Sequence, residues 1–200
     1  MKTITPSPAE IQERVARFEQ LQPMSTMKDN DRVPQGAKDL ILARKIMPVI
    51  LERTESPFGN LAPVYEAAGM TMFISVCPPG QGPGLHAHVK TFETFTVLEG
   101  TFEFSVGDRG EQTIVLNKWD SFSCPPGWCR GFRNVDTGDS VLQTVITGGV
   151  HDRNDIGLPP IMAERLEAYG AGVLDEFKKI GLSFDAGVEN QPAAARGGAA

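Results

Sequence analysis

Short segments in which apolar and polar residues alternate follow one another closely through the middle of the chain. Glycine, aspartate and asparagine clusters at residues 107–110, 117–118 and 136–139 separate some of them and favour tight turns. About eight such segments with no helical pattern between them predict an all-β barrel or sandwich rather than a parallel sheet. The predicted strands are residues 70–76, 85–88, 93–98, 102–106, 113–116, 121–124, 130–134 and 141–147.

A helical pattern precedes these strands. Ser7 and Glu10 have the spacing of a capping box, in which each side chain accepts from the other residue's backbone N–H. Pro23 marks the end of the pattern. We therefore predict an amphipathic N-terminal helix that packs on the outside of the barrel or on a second subunit. Its apolar stripe consists of Ile11, Val15, Phe18 and Leu21.

The remaining flanking segments are short. Residues 36–51 fit either the start of a helix or an extended segment, and Pro48 favours an edge strand over residues 47–51. After the barrel strands, residues 161–169 and 173–180 predict two short amphipathic helices. These helices could cap a barrel end, fill an interface or cover a pocket.

The chain length of 200 residues suits one domain with extensions. The predicted organisation is an N-terminal helical extension and connector over residues 1–44 and a barrel over residues 45–150. A C-terminal helical extension follows over residues 151–185. Residues 186–200 are rich in alanine and glycine and are expected to be a disordered tail.

Charge and composition exclude several classes of partner. The net charge is −6 and there is no basic run, which argues against binding to nucleic acid or to an anionic membrane surface. No segment reads as a signal peptide or a membrane span, so the expected location is the cytoplasm. Cys77, Cys124 and Cys129 are an odd number without a Cys-x-x-Cys pair and are expected to be buried thiols.

Candidate chemistry is concentrated in residues 86–93. His86 and His88 are two apart, so in a strand their imidazoles lie on one face. Glu93 would face the other way in an unbroken strand, and a bend over residues 89–92 would bring it back to the same side. Two imidazoles and one carboxylate suit a divalent transition metal and leave positions open for water, substrate or dioxygen.

Two stretches resemble the motifs of a known family. Gly82-Pro83-Gly84-Leu85-His86-x-His88, followed by Glu93 and Gly100, resembles the first motif of the cupins, which are small antiparallel barrels. Residues 125–134 are similar to the second cupin motif with one departure, because Arg130 stands where that motif has a fourth metal ligand, a histidine. The resemblance implies a single cupin domain of the double-stranded β-helix, or jelly-roll, type.

The resemblance leaves three hypotheses for function. We expect an enzyme, and the first hypothesis is a non-haem dioxygenase-like protein that uses Fe(II) on a small anionic or enolisable substrate. The second is a redox-neutral isomerase, lyase or decarboxylase with Zn, Mn or Ni. The third is a non-catalytic binding protein. Cupins commonly pair, so a homodimer is expected.

Arg130 has two alternative roles. Its guanidinium could anchor an anionic substrate with two hydrogen bonds. Alternatively it could pair with Glu93 and fill the position of the ion, which would leave a metal-free barrel with structural histidines. The sequence does not choose between these roles.

A substrate pocket is predicted beside the metal ligands. Trp128 and Phe132 share strand parity with Arg130 and can form an apolar wall, although Phe132 also fits ordinary barrel core. Phe95 lies on the inner face of its strand, and Cys124 can lie near the pocket. His151, just past the last barrel strand, is an additional candidate ligand or general base, and a surface position is the commoner one for such a loop histidine.

Overall fold

The computed structural model of the protein describes residues 6–24, 30–52, 61–65, 67, 69–148 and 155–188. Within these residues the α-helices are α1 (Pro8–Gln12), α2 (Gln35–Ile41), α3 (Pro160–Glu167) and α4 (Val173–Lys179). The strands are β1 (Lys45–Leu51), β2 (Val64–Tyr65), β3 (Met70–Cys77), β4 (His86–His88), β5 (Phe92–Glu99), β6 (Thr101–Val106), β7 (Gln112–Asn117), β8 (Ser121–Cys124), β9 (Cys129–Asn134), β10 (Ser140–Thr147) and β11 (Ile156–Gly157).

The strands form two sheets. One has the order β2-β1-β3-β10-β5-β8 and the other the order β11-β4-β9-β6-β7. Almost all neighbours are antiparallel, and only the short β2 runs parallel to β1. The predicted all-β jelly-roll is confirmed, and the bounds of its eight predicted strands lie within one residue of those observed.

The inner faces of the sheets meet in an aromatic core. Phe95 on β5, Phe102 and Phe104 on β6 and Phe132 on β9 are buried, and contacting pairs have ring centroids 5.0 to 5.7 Å apart. Each buried phenylalanine contributes roughly 1.5 to 3 kcal/mol of transfer free energy. These rings hold β5, β6 and β9 at fixed positions, and the same strands carry the candidate site.

The predicted N-terminal helix is much shorter than its apolar stripe. The capping box is present, with Ser7 Oγ accepting from the Glu10 N–H, but α1 ends at Gln12. Ile11 and Phe18 are exposed, whereas Leu21 packs against β1 and β3 in extended conformation. The prediction of one continuous helix to Pro23 is wrong. A short helix needs a packed face to propagate beyond its first turn, and Ile11 and Phe18 of this stripe are exposed.

Residues 36–51, which fitted either a helix or a strand, contain most of one helix and a strand. Helix α2 precedes strand β1, and β1 lies one strand in from the sheet edge. Pro48 pairs with Phe73 of β3 on one side, while β2 reaches only Ile50 and Leu51 on the other. Since proline has no N–H to donate, it is accommodated where β1 lacks a second described neighbour.

Helix α3 packs on the outside of the five-stranded sheet, and α4 packs against α2 and α3. Met162 of α3 lies against Leu85 and Cys129, and Phe177 of α4 lies in a cluster with α2. Residues 186–188 of the predicted tail are described, and the Ala186 N–H donates to the Leu158 carbonyl. Residues 189–200 lie outside the described residues. Among the described helices, none is long and apolar enough to cross a membrane.

Candidate metal centre

Strand β4 presents both candidate imidazoles to the barrel interior. It is three residues long, so His86 and His88 point the same way while Ala87 points outward to α3. Strand β9 pairs with β4 on one side, with His86 opposite Arg130, and β11 pairs on the other, with Ile156 opposite His88. The ring centroids of His86 and His88 are 5.8 Å apart.

Glu93 reaches the histidines from the other sheet. The chain bends after β4, and β5 returns with Glu93 buried on its inner face. Its Oε2 lies 3.6 Å from His86 Nε2 and 3.8 Å from His88 Nε2. One ligand atom from each of the three residues lies within 4.8 Å of the others, as the predicted bend requires.

The hydrogen bond of His86 fixes which of its two ring nitrogens is bare. His86 Nδ1 lies 2.9 Å from the Gly84 carbonyl oxygen. A carbonyl oxygen can only accept, so Nδ1 carries the proton and neutral His86 has a bare Nε2. Burial, and the Arg130 charge beside it, lower the pKa of His86 and favour this neutral form.

His88 is held through side chains instead. Its Nδ1 lies 2.8 Å from Thr91 Oγ1 and 3.2 Å from Asp155 Oδ2. Asp155 also accepts from the Lys90 backbone N–H at 2.7 Å. Burial raises the pKa of Asp155, but the hydrogen bonds from His88, Thr91 and Lys90 outweigh it and lower that pKa to about 2.

Arg130 occupies the same polar half of the interior. It is 1% exposed, its Nη2 forms an ion pair with Glu93 Oε2, and its Nη1 donates to the His86 carbonyl oxygen at 3.0 Å. Its Nε has no hydrogen-bond partner among the described residues. Burial raises the pKa of Glu93, whereas the adjacent Arg130 charge lowers it, and the pKa lies far below its usual value.

The predicted pocket residues lie in different surroundings. Phe95 and Phe132 belong to the aromatic core, and Trp128 is 52% exposed at the turn before β9. Cys124 is paired in register with Glu93, and burial raises the pKa of its thiol, so it stays protonated. His151 lies outside the described residues. The pocket roles of these residues stay predictions.

Two residues of the site were not predicted from the sequence. Thr91 lies in the bend, three positions after His88, where the sequence predicted a turn but no role for a side chain. Asp155 directly precedes β11 and is 3% exposed. No spacing rule connects Asp155 to His88, because β11 brings it to the site only through the fold.

The donor set fits a divalent transition metal. The Nε2 atoms of His86 and His88 and one carboxylate converge on a common point, and both Nδ1 groups are held by hydrogen bonds, as in metal-ligating histidines generally. Ligands about 2.1 Å from an ion lie about 3 to 3.5 Å apart, which is close to the 3.6 and 3.8 Å between Glu93 Oε2 and the two Nε2 atoms. The Arg130 cation opposes binding, because it competes for Glu93.

A two-sheet antiparallel barrel with an interior group of two histidines and a glutamate defines a class of small β-barrel proteins with a potential metal centre. The cupin-domain family model matches residues 73–146. Residues 73–146 of the chain are therefore a cupin domain. No curated protein matches the chain significantly.

Solved structures with a similar fold come from several organisms. A double-stranded β-helix protein from Klebsiella pneumoniae is 23% identical, covering 44% of this chain and 74% of its own, with a TM-score of 0.40. A predicted oxalate decarboxylase from Thermotoga maritima is 23% identical over 38% of this chain and 64% of its own, with a TM-score of 0.36. The Cnp3 cupin domain from Schizosaccharomyces pombe is 16% identical over 56% of this chain and 70% of its own, with a TM-score of 0.40.

Proposed function

We infer that this cupin is a metal-dependent enzyme of the non-haem dioxygenase type that acts on a small anionic or enolisable organic substrate. The observation that carries the proposal is the convergence of the Nε2 atoms of His86 and His88 and a buried carboxylate inside the barrel. Two histidines and one carboxylate with open positions are the ligand set of non-haem Fe(II) oxygenases. Bound Fe(II) would supply Lewis acidity and redox chemistry with dioxygen.

The protein residues have separate tasks in this proposal. His86, His88 and Glu93 hold the ion, and the hydrogen bonds on the two Nδ1 atoms fix the orientation of the rings. The buried aromatic core below them, with Phe95 at its centre, keeps the inner side of the site dry. Trp128, half-exposed at the turn before β9, is the candidate contact for the outer part of the substrate.

The preference for an anionic substrate follows from charge and from Arg130. A divalent ion, one arginine and one glutamate with two neutral histidines have a net charge of about +2, so an anion is attracted. The Arg130 Nε–H is buried and has no hydrogen-bond partner among the described residues. A carboxylate, phenolate or enolate oxygen is a suitable acceptor for it, and binding would remove the cost of an unsatisfied donor.

The test is oxygen consumption by protein loaded anaerobically with Fe(II). The substrate panel contains phenolates, β-dicarbonyl compounds and small carboxylates, and His86→Ala serves as the matched control. We expect at least one panel member to stimulate oxygen uptake in the parent only. Protein that neither binds Fe(II) nor consumes oxygen with any of them would refute the proposal. If protein loaded with Zn, Mn or Ni converted a substrate in the absence of oxygen, the result would instead favour an isomerase, lyase or decarboxylase.

The Arg130–Glu93 ion pair favours a second candidate function. In this alternative the guanidinium satisfies the buried carboxylate without a metal, and the barrel binds a small molecule without catalysis. The Arg130→His variant distinguishes the two. If arginine closes the site, the parent binds no metal and the variant does, whereas an open site binds metal in both.

A further inference from the structure

The two candidate ligands on β4 are supported in different ways. His86 donates to a backbone carbonyl two residues away in its own segment. His88 instead contacts a chain of two side chains, Thr91 and Asp155. Asp155 comes from the C-terminal extension and lies beyond the segment that matches the cupin family, residues 73–146.

The direction of the hydrogen bonds that link His88, Thr91 and Asp155 follows from counting their protons. The Thr91 hydroxyl has one proton, and it donates that proton to Asp155 Oδ2 at 2.5 Å. The hydroxyl oxygen can then only accept from His88 Nδ1, 2.8 Å away. The second oxygen of Asp155 accepts from the Lys90 backbone N–H. Among the described residues, every partner of His88 Nδ1 is therefore an acceptor.

We propose that Asp155 is a positioning residue that acts both through Thr91 and directly to keep the imidazole proton of His88 on Nδ1, which leaves Nε2 bare for a metal ion. Its importance for metal binding rests on the proposed function, whereas the position of the proton does not. The barrel would then depend on its C-terminal extension for one of its three ligands. Asp155 is not one of the three candidate metal ligands.

A single substitution tests the direction of these hydrogen bonds. In Asp155→Asn, the Lys90 N–H still needs an acceptor, so the amide oxygen stays beside Lys90 and the NH₂ group faces Thr91. Thr91 Oγ1 then accepts from the amide and turns its own proton toward His88 Nδ1. That nitrogen becomes an acceptor and the imidazole proton moves to Nε2, which can no longer bind a metal.

The experiment uses full-length, metal-free protein labelled with ¹⁵N in histidine. Long-range ¹H–¹⁵N spectra above pH 7 distinguish a protonated ring nitrogen from a bare one. In the parent we expect Nδ1–H for both His86 and His88, and in Asp155→Asn we expect only His88 to change to Nε2–H. His86 is an internal control, because its partner is a backbone carbonyl. An unchanged His88, or a change in both residues, would overturn the proposal.

A second readout is the affinity for Co(II), measured by titration. Asp155→Asn is expected to weaken binding about 10- to 100-fold, as loss of a hydrogen-bond partner of a ligand usually does. The matched control is Asp185→Asn, which removes the same charge from an exposed position of the same extension. Equal affinities of Asp155→Asn and Asp185→Asn would contradict the role of Asp155.

Thr91→Val keeps the proposal testable if Asp155→Asn does not fold. Without the hydroxyl, His88 Nδ1 still faces Asp155 Oδ2, 3.2 Å away. We expect His88 to keep Nδ1–H in this variant and Co(II) affinity to fall less than tenfold. Nε2–H in Thr91→Val would refute the role of Asp155. A parent that binds no Co(II) refutes the metal function, and the spectra still decide the position of the proton.

Discussion

The two halves of the barrel interior lie on the same strands but differ in chemistry. On β5, Glu93 is followed two positions later by Phe95, and on β9, Arg130 is followed by Phe132. The phenylalanines pack ring against ring, whereas the charged pair is buried beside two imidazoles. The apolar half stabilises the barrel at no electrostatic cost. The polar half requires two charges to be desolvated, which proteins maintain mainly where chemistry needs them.

The largest expected effect is in the apolar half. Phe95→Ala removes a fully buried ring that contacts three other phenylalanines, so we expect a loss at the upper end of about 3 to 5 kcal/mol in unfolding free energy. Urea unfolding of the metal-free protein measures it. Phe18→Ala, at a position 57% exposed, is the control and should change the free energy by less than about 0.5 kcal/mol. Similar losses in both variants would contradict the described core.

Arg130→Met is expected to have the next largest effect. It leaves the buried Glu93 carboxylate without its cation, and a loss of about 3 kcal/mol is expected in metal-free protein. In contrast to Phe95→Ala, a divalent ion should restore much of this loss, because it supplies the missing positive charge. Unfolding is measured with and without Co(II). If Co(II) raised the free energy of unfolding of Arg130→Met and Phe95→Ala equally, the polar and apolar halves of the interior would not be distinct.

A smaller effect is the dependence of stability on pH. The pKa of His86 is lowered from 6.5 and that of Glu93 from 4.5 in the folded protein, so the unfolded chain takes up protons first as pH falls. The stability they contribute is complete above about pH 7 and is lost progressively below about pH 6.5, then further below about pH 4.5.

Thermal unfolding of metal-free protein from pH 8 to pH 4 tests this expectation. The curve for Phe95→Ala should run parallel to that of the parent, because no charge changes. Arg130→Met should lose less stability between pH 5 and pH 4, since the cation that lowers the Glu93 pKa is absent. Parallel curves for all three proteins would show that the ion pair does not govern the acid response.

The barrel strands and the grouping of the three candidate ligands could be predicted because their signals are local. Alternation defines a strand from neighbouring residues, and His86, His88 and Glu93 lie within eight positions of one another. The N-terminal helix was predicted too long because its length depends on contacts with distant parts of the fold. Its cap is a local signal, but its continuation depends on a packed face that the fold does not provide.

The remaining features of the site depend on contacts between distant residues. The sequence left two roles open for Arg130, and only the packing of β9 against β5 and β4 places its guanidinium on Glu93. Thr91 and Asp155 are 64 positions apart and are brought together by the pairing of β11 with β4. No periodicity or motif encodes such a contact.

The central claim is that the polar half of the barrel holds a metal ion despite Arg130. The most direct test is elemental analysis of protein purified without chelator or affinity-tag metal, together with His86→Ala and Arg130→His. The account predicts nearly one equivalent of a divalent transition metal in the parent and its loss in His86→Ala. A parent without metal that becomes loaded in Arg130→His would contradict it, because arginine would then have replaced the ion.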